Sequence, residues 1–495
     1  MPSAASSFAE VLAAYEPVIG LEVHAQLLTR SKLFCSCANR FGAPPNTLVC
    51  PVCLGLPGAL PVPSREAVTL ALRAALALGC RVNQTSVFER KNYFYPDLPK
   101  GYQISQYERP LAEDGAVVVT GADGATRPIR VQRVHMEEDA GKLLHEGFAW
   151  SPEKSGVDLN RAGIPLIEIV SAPDLSDPQE AHEYLTALRA VLLYAGVSDG
   201  NMEEGSLRCD ANVSLRPRGA IALGVKVEIK NLNSIAHVKK ALEHEIARQA
   251  GVLSSGGTVI QETRLFDPAT GATKTMRTKE EAMDYRYFPD PDLGTLAVDA
   301  AWVAEVKASM PEMPGVRAAR FALQYALPAS DAELLCSARP LADWFEAAVR
   351  AHPSNPKAVA NWLLSDLLGR MSDADRQAGR VPVPPERLAA LVALIDGGTI
   401  SGKIAKEVLP DMIATGKAPA DLVREKGLVQ ISDEGALQEA VSKVIADNPA
   451  QAAAWRGGKA ATFGWFVGQV MKATGGKAAP MVVNRLLKEE LEKGA

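Results

Sequence analysis

The clearest pattern in the first 294 residues is an alternation of polar and apolar side chains in steps of two. In residues 18–27, Glu22, His24 and Gln26 fall on one side of an extended chain, and apolar residues fall on the other. Residues 206–216 alternate in the same way. Because this period is typical of a strand with one buried face, the pattern predicts an antiparallel sheet that has a polar face.

Helical signals interrupt the predicted strands and dominate the chain from residue 295 onward. Ser64 and Gly79 are suited to begin and end one helix, and Asp177 and Gly196 to begin and end another. The strands and inserted helices predict an α+β fold built on an antiparallel sheet, followed by an all-helical region and a last helical segment.

The length and composition are those of a globular protein with several domains. At 495 residues, with 47% hydrophobic and 22% charged residues, the chain is too long for one hydrophobic core. No apolar run approaches the roughly 20 residues that span a bilayer. The N-terminal residues lack the features of a signal peptide, so we expect a cytoplasmic protein. The net charge of −5 argues weakly against a dedicated nucleic-acid coat.

Four of the seven cysteines lie in two close pairs within residues 35–53. The pairs are Cys35 with Cys37, and Cys50 with Cys53. Two thiol pairs joined by a loop predict a tetrahedral Zn²⁺ site, which we favour over four free thiols. Four thiolates leave no open coordination position, so the expected role is to fix the loop.

Carboxylates recur at positions where a strand would otherwise be apolar. Glu22 and His24 point the same way, about 7 Å apart along the predicted strand. Glu168 lies within the apolar run L-I-E-I-V, where burial is costly unless a cation or a proton neutralises it. If the strand before them continues, either Glu137 or Glu138 faces inward. A metal ion shared by these side chains is one reading, and a solvated strand face is the other.

Residues 90–106 combine adjacent aromatic residues with basic ones in a proline-containing loop. Such a loop can stack bases or an adenine and contact phosphates, or it can simply fill the core. The candidate binding residues are Lys91, Tyr93, Tyr95 and Lys100.

Two further groups of polar residues are candidates for binding. The polar face of residues 206–216 includes Arg208, Asp210 and Asn212, and it either binds a ligand or is a solvated strand face. The last segment contains basic residues that can meet a phosphate backbone or remain a solvated helix face. These basic residues include Lys459, Lys472 and Lys477.

Six segments together resemble the B subunit of the tRNA-dependent aspartyl/glutamyl amidotransferases. The resemblance covers nearly the whole chain. The segments are G-L-E-V-H, K-N-Y-F-Y-P-D-L-P-K-G-Y-Q-I-S-Q, H-M-E-E-D-A-G-K, D-L-N-R-A-G-I-P-L-I-E-I, M-E-E-G-S-L-R-C-D-A-N and D-Y-R-Y-F-P-D-P-D.

The resemblance implies ATP-dependent transamidation of mischarged Glu-tRNA(Gln), Asp-tRNA(Asn) or both. In that family the B subunit uses ATP and Mg²⁺ to phosphorylate the side-chain carboxylate of the aminoacyl group. A separate amidase (A) subunit releases ammonia from glutamine, and a small C subunit completes a heterotrimer. This chain has no amidase signature of its own.

The resemblance also implies where the site and the domains lie. Its Mg²⁺ site is expected at Glu22, His24, Glu138 and Glu168, which would be the catalytic residues. Glu137 is the less expected ligand, because its neighbour would occupy the inward face. The expected domains are a catalytic cradle (1–294), a helical domain (295–425) and a tail domain that contacts tRNA (426–495).

Two other functions explain part of the sequence. A zinc-ribbon RNA-binding protein without catalysis would account for the cysteines and the aromatic loops, but not for Glu22, His24 and Glu168. A metallohydrolase would use the same acids with a metal-bound water, and only activity separates it from the amidotransferase.

Overall fold

The computed structural model describes residues 8–120, 125–148, 151, 153–278, 284–428, 434–475, 478 and 480–493. The chain divides into two compact units, residues 1–313 and 314–495. The α+β fold predicted from the sequence is confirmed, because a large sheet precedes a region of many helices.

The first unit is built on a mixed set of long and short strands and five helices among its described residues. Its strands are β1 (Tyr15–Gln26), β2 (Arg81–Val82), β3 (Thr85–Ser86), β4 (Glu89–Asn92), β5 (Tyr102–Ser105), β6 (Ala112–Thr120), β7 (Thr126–Glu138), β8 (Lys142–Leu144), β9 (Gly156–Asp158), β10 (Pro165–Ser171), β11 (Leu207–Pro217), β12 (Val227–Leu232), β13 (Glu262–Asp267), β14 (Ala272–Thr278), β15 (Phe288–Pro289) and β16 (Leu296–Ala297). Its helices are α1 (Phe8–Ala14), α2 (Arg65–Ala77), α3 (Pro178–Tyr194), α4 (Ile235–Ser254) and α5 (Ala300–Ala308).

Nine strands form one sheet in the order β14-β13-β12-β11-β1-β10-β7-β6-β2. All neighbouring pairs are antiparallel except β12 with β13, which is parallel. The central strand β1 therefore lies between β10 and β11, and both partners run opposite to it.

One face of this sheet is covered by helices. Val23 of β1, Ile167 of β10 and Val213 of β11 are fully buried in one core with Leu185 of α3 and Leu242 of α4. The alternation seen in the sequence places the polar residues of the same strands on the other face. The sequence period of two therefore gives the sheet one polar face and one apolar face that packs against the helices.

The helix boundaries expected from capping residues are confirmed. The Ser64 side chain accepts a hydrogen bond from the Ala67 N–H at the start of α2, and Gly79 follows its end with φ +68°. Asp177 accepts the Gln179 N–H in front of α3, which has proline in its first turn. The side-chain oxygens satisfy N–H groups that a helix leaves free at its start.

Helices are the named secondary-structure elements of the second unit's described residues. Its helices are α6 (Pro314–Gln324), α7 (Ala329–Leu335), α8 (Arg339–Ala351), α9 (Pro356–Asn361), α10 (Asp373–Gln377), α11 (Pro385–Asp396), α12 (Gly402–Thr415), α13 (Pro419–Glu425), α14 (Glu434–Ala446), α15 (Pro449–Arg456), α16 (Ala461–Ala473) and α17 (Pro480–Lys493), with a π-helical turn at Trp362–Leu367 and a 3₁₀ turn at Leu368–Arg370. They form two hydrophobic cores, one of residues between 318 and 423 and one of residues between 437 and 491. None of the helices described in either unit is both long and apolar enough to span a membrane.

Candidate active site on the polar face of the sheet

Four polar side chains from four strands form a row across the polar face. His24 of β1 pairs in register with Glu168 of β10 on one side and with Arg208 of β11 on the other. Glu168 in turn pairs with His135 of β7. Since cross-strand partners on one face lie about 5 Å apart, the backbone register alone brings these groups together.

His24, Glu137 and Glu168 form the tightest polar cluster on this face. His24 Nε2 lies 3.5 Å from Glu137 Oε1 and 3.4 Å from Glu168 Oε2. The three donor atoms all lie within 4.8 Å of one another, a separation that one metal ion can bridge. Glu137 is buried, and the other two side chains are partly buried.

The histidine and the carboxylates of this cluster shift one another's pKa values. Burial lowers the pKa of His24, but the carboxylates of Glu168 and Glu137 outweigh burial and raise that pKa to about 9. Burial raises the pKa of Glu168, but His135 and His24 outweigh it and hold the pKa well below its usual value. One buried and one partly buried carboxylate around one imidazole thus form a site that a positive charge stabilises.

The placement of Glu138 differs from the sequence expectation. The resemblance implies Glu138, rather than Glu137, as a ligand beside His24, but Glu138 accepts the backbone N–H of Ile104 at 3.0 Å and pairs with Lys100. Its cross-strand partner is Pro165, at the end of the β10 ladder. Glu137 instead faces His24. It lies two residues after His135, and residues two apart in a strand point to the same face of the sheet.

Glu22, expected with His24, lies one pleat farther along β1 and outside the three-residue cluster. Asn212 donates a hydrogen bond to Glu22 Oε1 at 3.0 Å. Burial and the nearby carboxylates of Glu168, Glu228 and Asp210 raise the pKa of Glu22. Glu22 therefore belongs to a second acidic group that borders the first.

Lys230 of β12 neutralises part of this second group. Its Nζ lies 2.5 Å from Asp210 Oδ2 and 3.0 Å from Glu228 Oε1. Burial lowers the pKa of Lys230, but the two carboxylates outweigh burial and raise it. Asp210 is thus engaged by a lysine, while Asn212 holds Glu22.

Lys91 and Tyr93 approach the cluster from β4 and the loop that follows it. Lys91 Nζ lies 4.9 Å from the centre of the Tyr285 ring. Burial lowers the pKa of Lys91, but Glu137 and other nearby groups outweigh burial and raise it. Tyr93 donates to Gln103 at 3.4 Å and packs edge-on against Tyr285, with ring centres 6.0 Å apart. Tyr95 is 56% exposed.

The remaining basic candidates line two cavities. Arg208 pairs with Asp139 at 3.1 Å and lines a cavity of about 750 Å³ at the ends of β1 and β11. Lys100 and Glu138 line a separate cavity of about 370 Å³ beside the cysteine loop, together with Cys35 and Cys53.

The four cysteines of residues 35–53 come together as expected. Their Sγ atoms all lie within 4.8 Å of one another. A hydrogen bond from Cys35 is the first cause that lowers the pKa of Cys53 to about 4, while burial raises that of Cys37 to about 11. Since adjacent thiols cannot all ionise without a cation, four sulfur donors at this spacing fit Zn²⁺.

Of the basic residues expected to contact tRNA, Lys459 and Lys472 are exposed beside and on α16. Lys459 lines a shallow depression together with Thr462 and Trp465. Lys477 lies outside the described residues.

Comparison with known proteins identifies the family. A family model described as the GatB/GatE catalytic domain matches residues 17–304, and one described as the GatB domain matches residues 343–491. The chain belongs to the B-subunit family of the aspartyl/glutamyl-tRNA amidotransferases.

The B subunit of the aspartyl/glutamyl-tRNA(Asn/Gln) amidotransferase from Solidesulfovibrio magneticus is 56% identical over 97% of this chain and 100% of its own length. The B subunits of the same enzyme from Thermoanaerobacter pseudethanolicus and Persephonella marina are 54% and 53% identical, each over 97% of this chain and 100% of its own length.

Two residues of this candidate site carry no role in the sequence prediction. His135 binds Glu168 at 3.2 Å, and Lys230 binds Asp210. His135 has a usable signal, because V-H-M-E places His135 and Glu137 on the same side of a strand. No local sequence pattern predicts the contact of Lys230 with Asp210, because that contact depends on how β12 pairs with β11.

Proposed function

We propose that the polar face of the sheet binds Mg²⁺ and ATP and phosphorylates the side-chain carboxylate of glutamate or aspartate esterified to tRNA. The observation that carries this proposal is the cluster of His24, Glu137 and Glu168, whose donor atoms lie within 4.8 Å of one another. The membership in the amidotransferase B-subunit family supports the same reaction class.

The donor set of the cluster fits Mg²⁺. Two carboxylates and one imidazole provide mostly oxygen ligands and fewer than the six that Mg²⁺ requires, which leaves positions for substrate oxygens. When bound, Mg²⁺ supplies positive charge that offsets the repulsion between carboxylate and phosphate oxygens. The low pKa of Glu168 keeps one of the ligands ionised at neutral pH.

The proposed reaction has two steps. A side-chain carboxylate oxygen of the aminoacyl group forms a bond to the γ-phosphorus of ATP, and the bond to the bridging oxygen breaks to leave ADP. Ammonia then forms a C–N bond at the acyl carbon and the C–O bond to phosphate breaks, and the released phosphate takes the proton that the nitrogen gives up. The products are the amide, ADP and phosphate.

Basic groups around the cluster are placed to bind the anionic reactants. Lys91 lies in the field of Glu137 and Glu168 and remains charged at neutral pH. Arg208 is the cross-strand partner of His24 in β11. The cavity that Arg208 lines offers space for a substrate group. We assign Lys91, Tyr93 and Arg208 to substrate binding and leave Tyr95 as a solvent-exposed candidate.

The proposed function requires partners. We propose an amidase (A) subunit that supplies ammonia from glutamine, a small C subunit, and a tRNA that Lys459 and Lys472 contact through its phosphates. The complex would act in the cytoplasm as a glutamine-hydrolysing ligase that forms Gln-tRNA(Gln), Asn-tRNA(Asn) or both. Zn²⁺ at the four cysteines would hold the loop of residues 35–53.

The test is ATP turnover by this chain copurified with candidate amidase and small subunits, with Glu-tRNA or Asp-tRNA added. Wild type is compared with Glu168→Gln and with the control Glu243→Gln, which removes an exposed carboxylate on α4. We expect ADP and amidated tRNA from wild type and the control. Glu168→Gln should lose both products while tRNA binding persists.

Two results would contradict the proposal. Bound tRNA without any ATP turnover by wild type would make the chain a binding module. ATP-independent hydrolysis of the aminoacyl ester, with loss in Glu168→Gln, would make the site a metallohydrolase.

A further inference from the structure

His135 is a buried histidine next to the cluster but outside it. Only 7% of its surface is exposed. It pairs in register with Glu168 across the β7–β10 ladder, and its Nε2 lies 3.2 Å from Glu168 Oε2. The contact is a side-chain hydrogen bond between neighbouring strands of one sheet.

The other ring nitrogen of His135 indicates which tautomer is present. Nδ1 is buried and has no hydrogen-bond partner among the described residues. A proton on Nδ1 would leave a buried donor unsatisfied, whereas a neutral ring with its proton on Nε2 donates to Glu168 and leaves only a bare lone pair. The geometry therefore favours His135 as a donor through Nε2.

His24 and His135 both bind the same oxygen of Glu168. Nε2 of His24 lies 3.4 Å from Oε2, and Nε2 of His135 lies 3.2 Å from it. If His24 gives its ring nitrogen to a cation, its contact with Glu168 is lost, but the contact from His135 does not depend on that nitrogen. One of the two histidines can thus bind a cation while the other holds the carboxylate.

We propose that His135 is a positioning residue that fixes the orientation of Glu168 for cation binding. This inference rests on the proposed function, because it takes Glu168 as a ligand. Partners that orient a metal-binding side chain in this way commonly contribute 10- to 100-fold to metal affinity, as an order-of-magnitude figure. His135 touches neither the cation nor the reactants in this role.

The test measures Mn²⁺ binding to the full chain by electron paramagnetic resonance, as a probe for the Mg²⁺ site. His135→Gln keeps an N–H near the position of Nε2, whereas His135→Leu removes the donor. We expect His135→Leu to weaken Mn²⁺ binding by about 10- to 100-fold and His135→Gln to stay near wild type. In the amidotransferase assay, the Mg²⁺ concentration for half-maximal rate should rise in His135→Leu while kcat at saturating Mg²⁺ changes little.

A second pair of variants covers the case in which His135→Leu fails to fold. His135→Asn has the same amide as His135→Gln on a shorter side chain, which places its N–H nearer the position of Nδ1. We expect His135→Asn to bind Mn²⁺ more weakly than His135→Gln at matched thermal stability.

The outcomes separate this inference from the proposed function. If wild type binds no Mn²⁺ and Glu168→Gln changes nothing, the proposed metal site itself is wrong. If wild type binds Mn²⁺ and loses it in Glu168→Gln, but folded His135→Leu binds as tightly as wild type, the role of His135 is overturned. Equal binding by His135→Asn and His135→Gln at the wild-type level would overturn it as well.

Discussion

Glu137 and Glu138 are consecutive in β7, yet their carboxylates meet different partners. Glu137 Oε1 lies 3.5 Å from His24 Nε2, whereas Glu138 Oε1 accepts the N–H of Ile104 at 3.0 Å and pairs with Lys100. Both side chains are buried. One carboxylate thus faces the candidate cation site, and its neighbour ties β7 to β5.

This relationship predicts opposite effects of two otherwise identical substitutions. Glu137→Gln should lose Mn²⁺ binding and leave the urea midpoint near wild type, because it removes a candidate ligand charge but keeps the side-chain shape. Glu138→Gln should keep Mn²⁺ binding and destabilise the fold by about 1–3 kcal/mol, because Lys100 loses its charged partner. If Glu138→Gln lost Mn²⁺ binding and Glu137→Gln kept it, Glu138 and not Glu137 would be the ligand.

The cysteine cluster predicts a stoichiometric Zn²⁺. Cys50→Ser should release the metal and lower the unfolding temperature, because three cysteines do not complete a tetrahedral site and the metal no longer cross-links the loop. Zinc content by atomic emission and thermal unfolding are the measurements. Cys336→Ala, which lies in the helical second unit, is the control and should keep wild-type zinc. Wild-type protein that carries no zinc after expression in zinc-supplied medium would refute the site.

The tail lysines predict a salt-dependent contribution to tRNA binding. Lys459→Ala and Lys472→Ala should each reduce the slope of log Kd against log salt by about 1, since each removes one phosphate contact. Filter binding over a salt series provides the slope. Lys406→Ala is a matched control, because Lys406 is paired with Asp366 at 3.4 Å. Slopes equal to wild type in both tail variants would exclude them from the interface.

The second unit predicts a pH-dependent stability. Burial raises the pKa of Glu346, but hydrogen bonds from Arg320 and Arg317 outweigh burial and hold that pKa below its usual value. The ionised form therefore stabilises the fold fully above the unfolded-state pKa of about 4.3, and this stabilisation is lost as pH falls through the lower folded-state pKa. Glu346→Gln should lower the free energy of unfolding by about 1–3 kcal/mol at pH 7. The difference from wild type should become smaller below about pH 4.

Urea unfolding at several pH values measures this effect. Asp343→Asn is the control, because Asp343 also pairs with Arg317, at 2.7 Å, but its side chain is 53% exposed. Exposed ion pairs contribute little to stability. Asp343→Asn should therefore lower the free energy of unfolding at pH 7 by less than Glu346→Gln does. A Glu346→Gln deficit that does not change between pH 7 and pH 3 would refute the electrostatic origin.

The sequence predicts those parts of the site that depend on one strand or one short loop. The face shared by Glu22 and His24 and the approach of the two cysteine pairs follow from local spacing, and the structure has both. The spacing of His135 and Glu137 is a local signal for the choice between Glu137 and Glu138, but the sequence pattern leaves that choice open and the resemblance implies Glu138.

Contacts between distant segments are beyond the sequence pattern. Lys91 meets Tyr285, and His135 meets Glu168, only because particular strands are neighbours in the folded sheet. A pattern of period two shows which residues share a face of one strand, but strand order and register depend on pairings between distant segments. The predicted domain boundaries near residues 294 and 425 remain predictions.

The register of β10 fixes the hydrophobic core and the placement of Glu168 at the same time. Ile167 and Ile169 pack beneath the helices while Glu168 points the other way, so a slip of one residue would bury the carboxylate and expose both isoleucines. Such a slip would also expose apolar surface to water, so the register that buries this core is the same register that places Glu168 opposite His24.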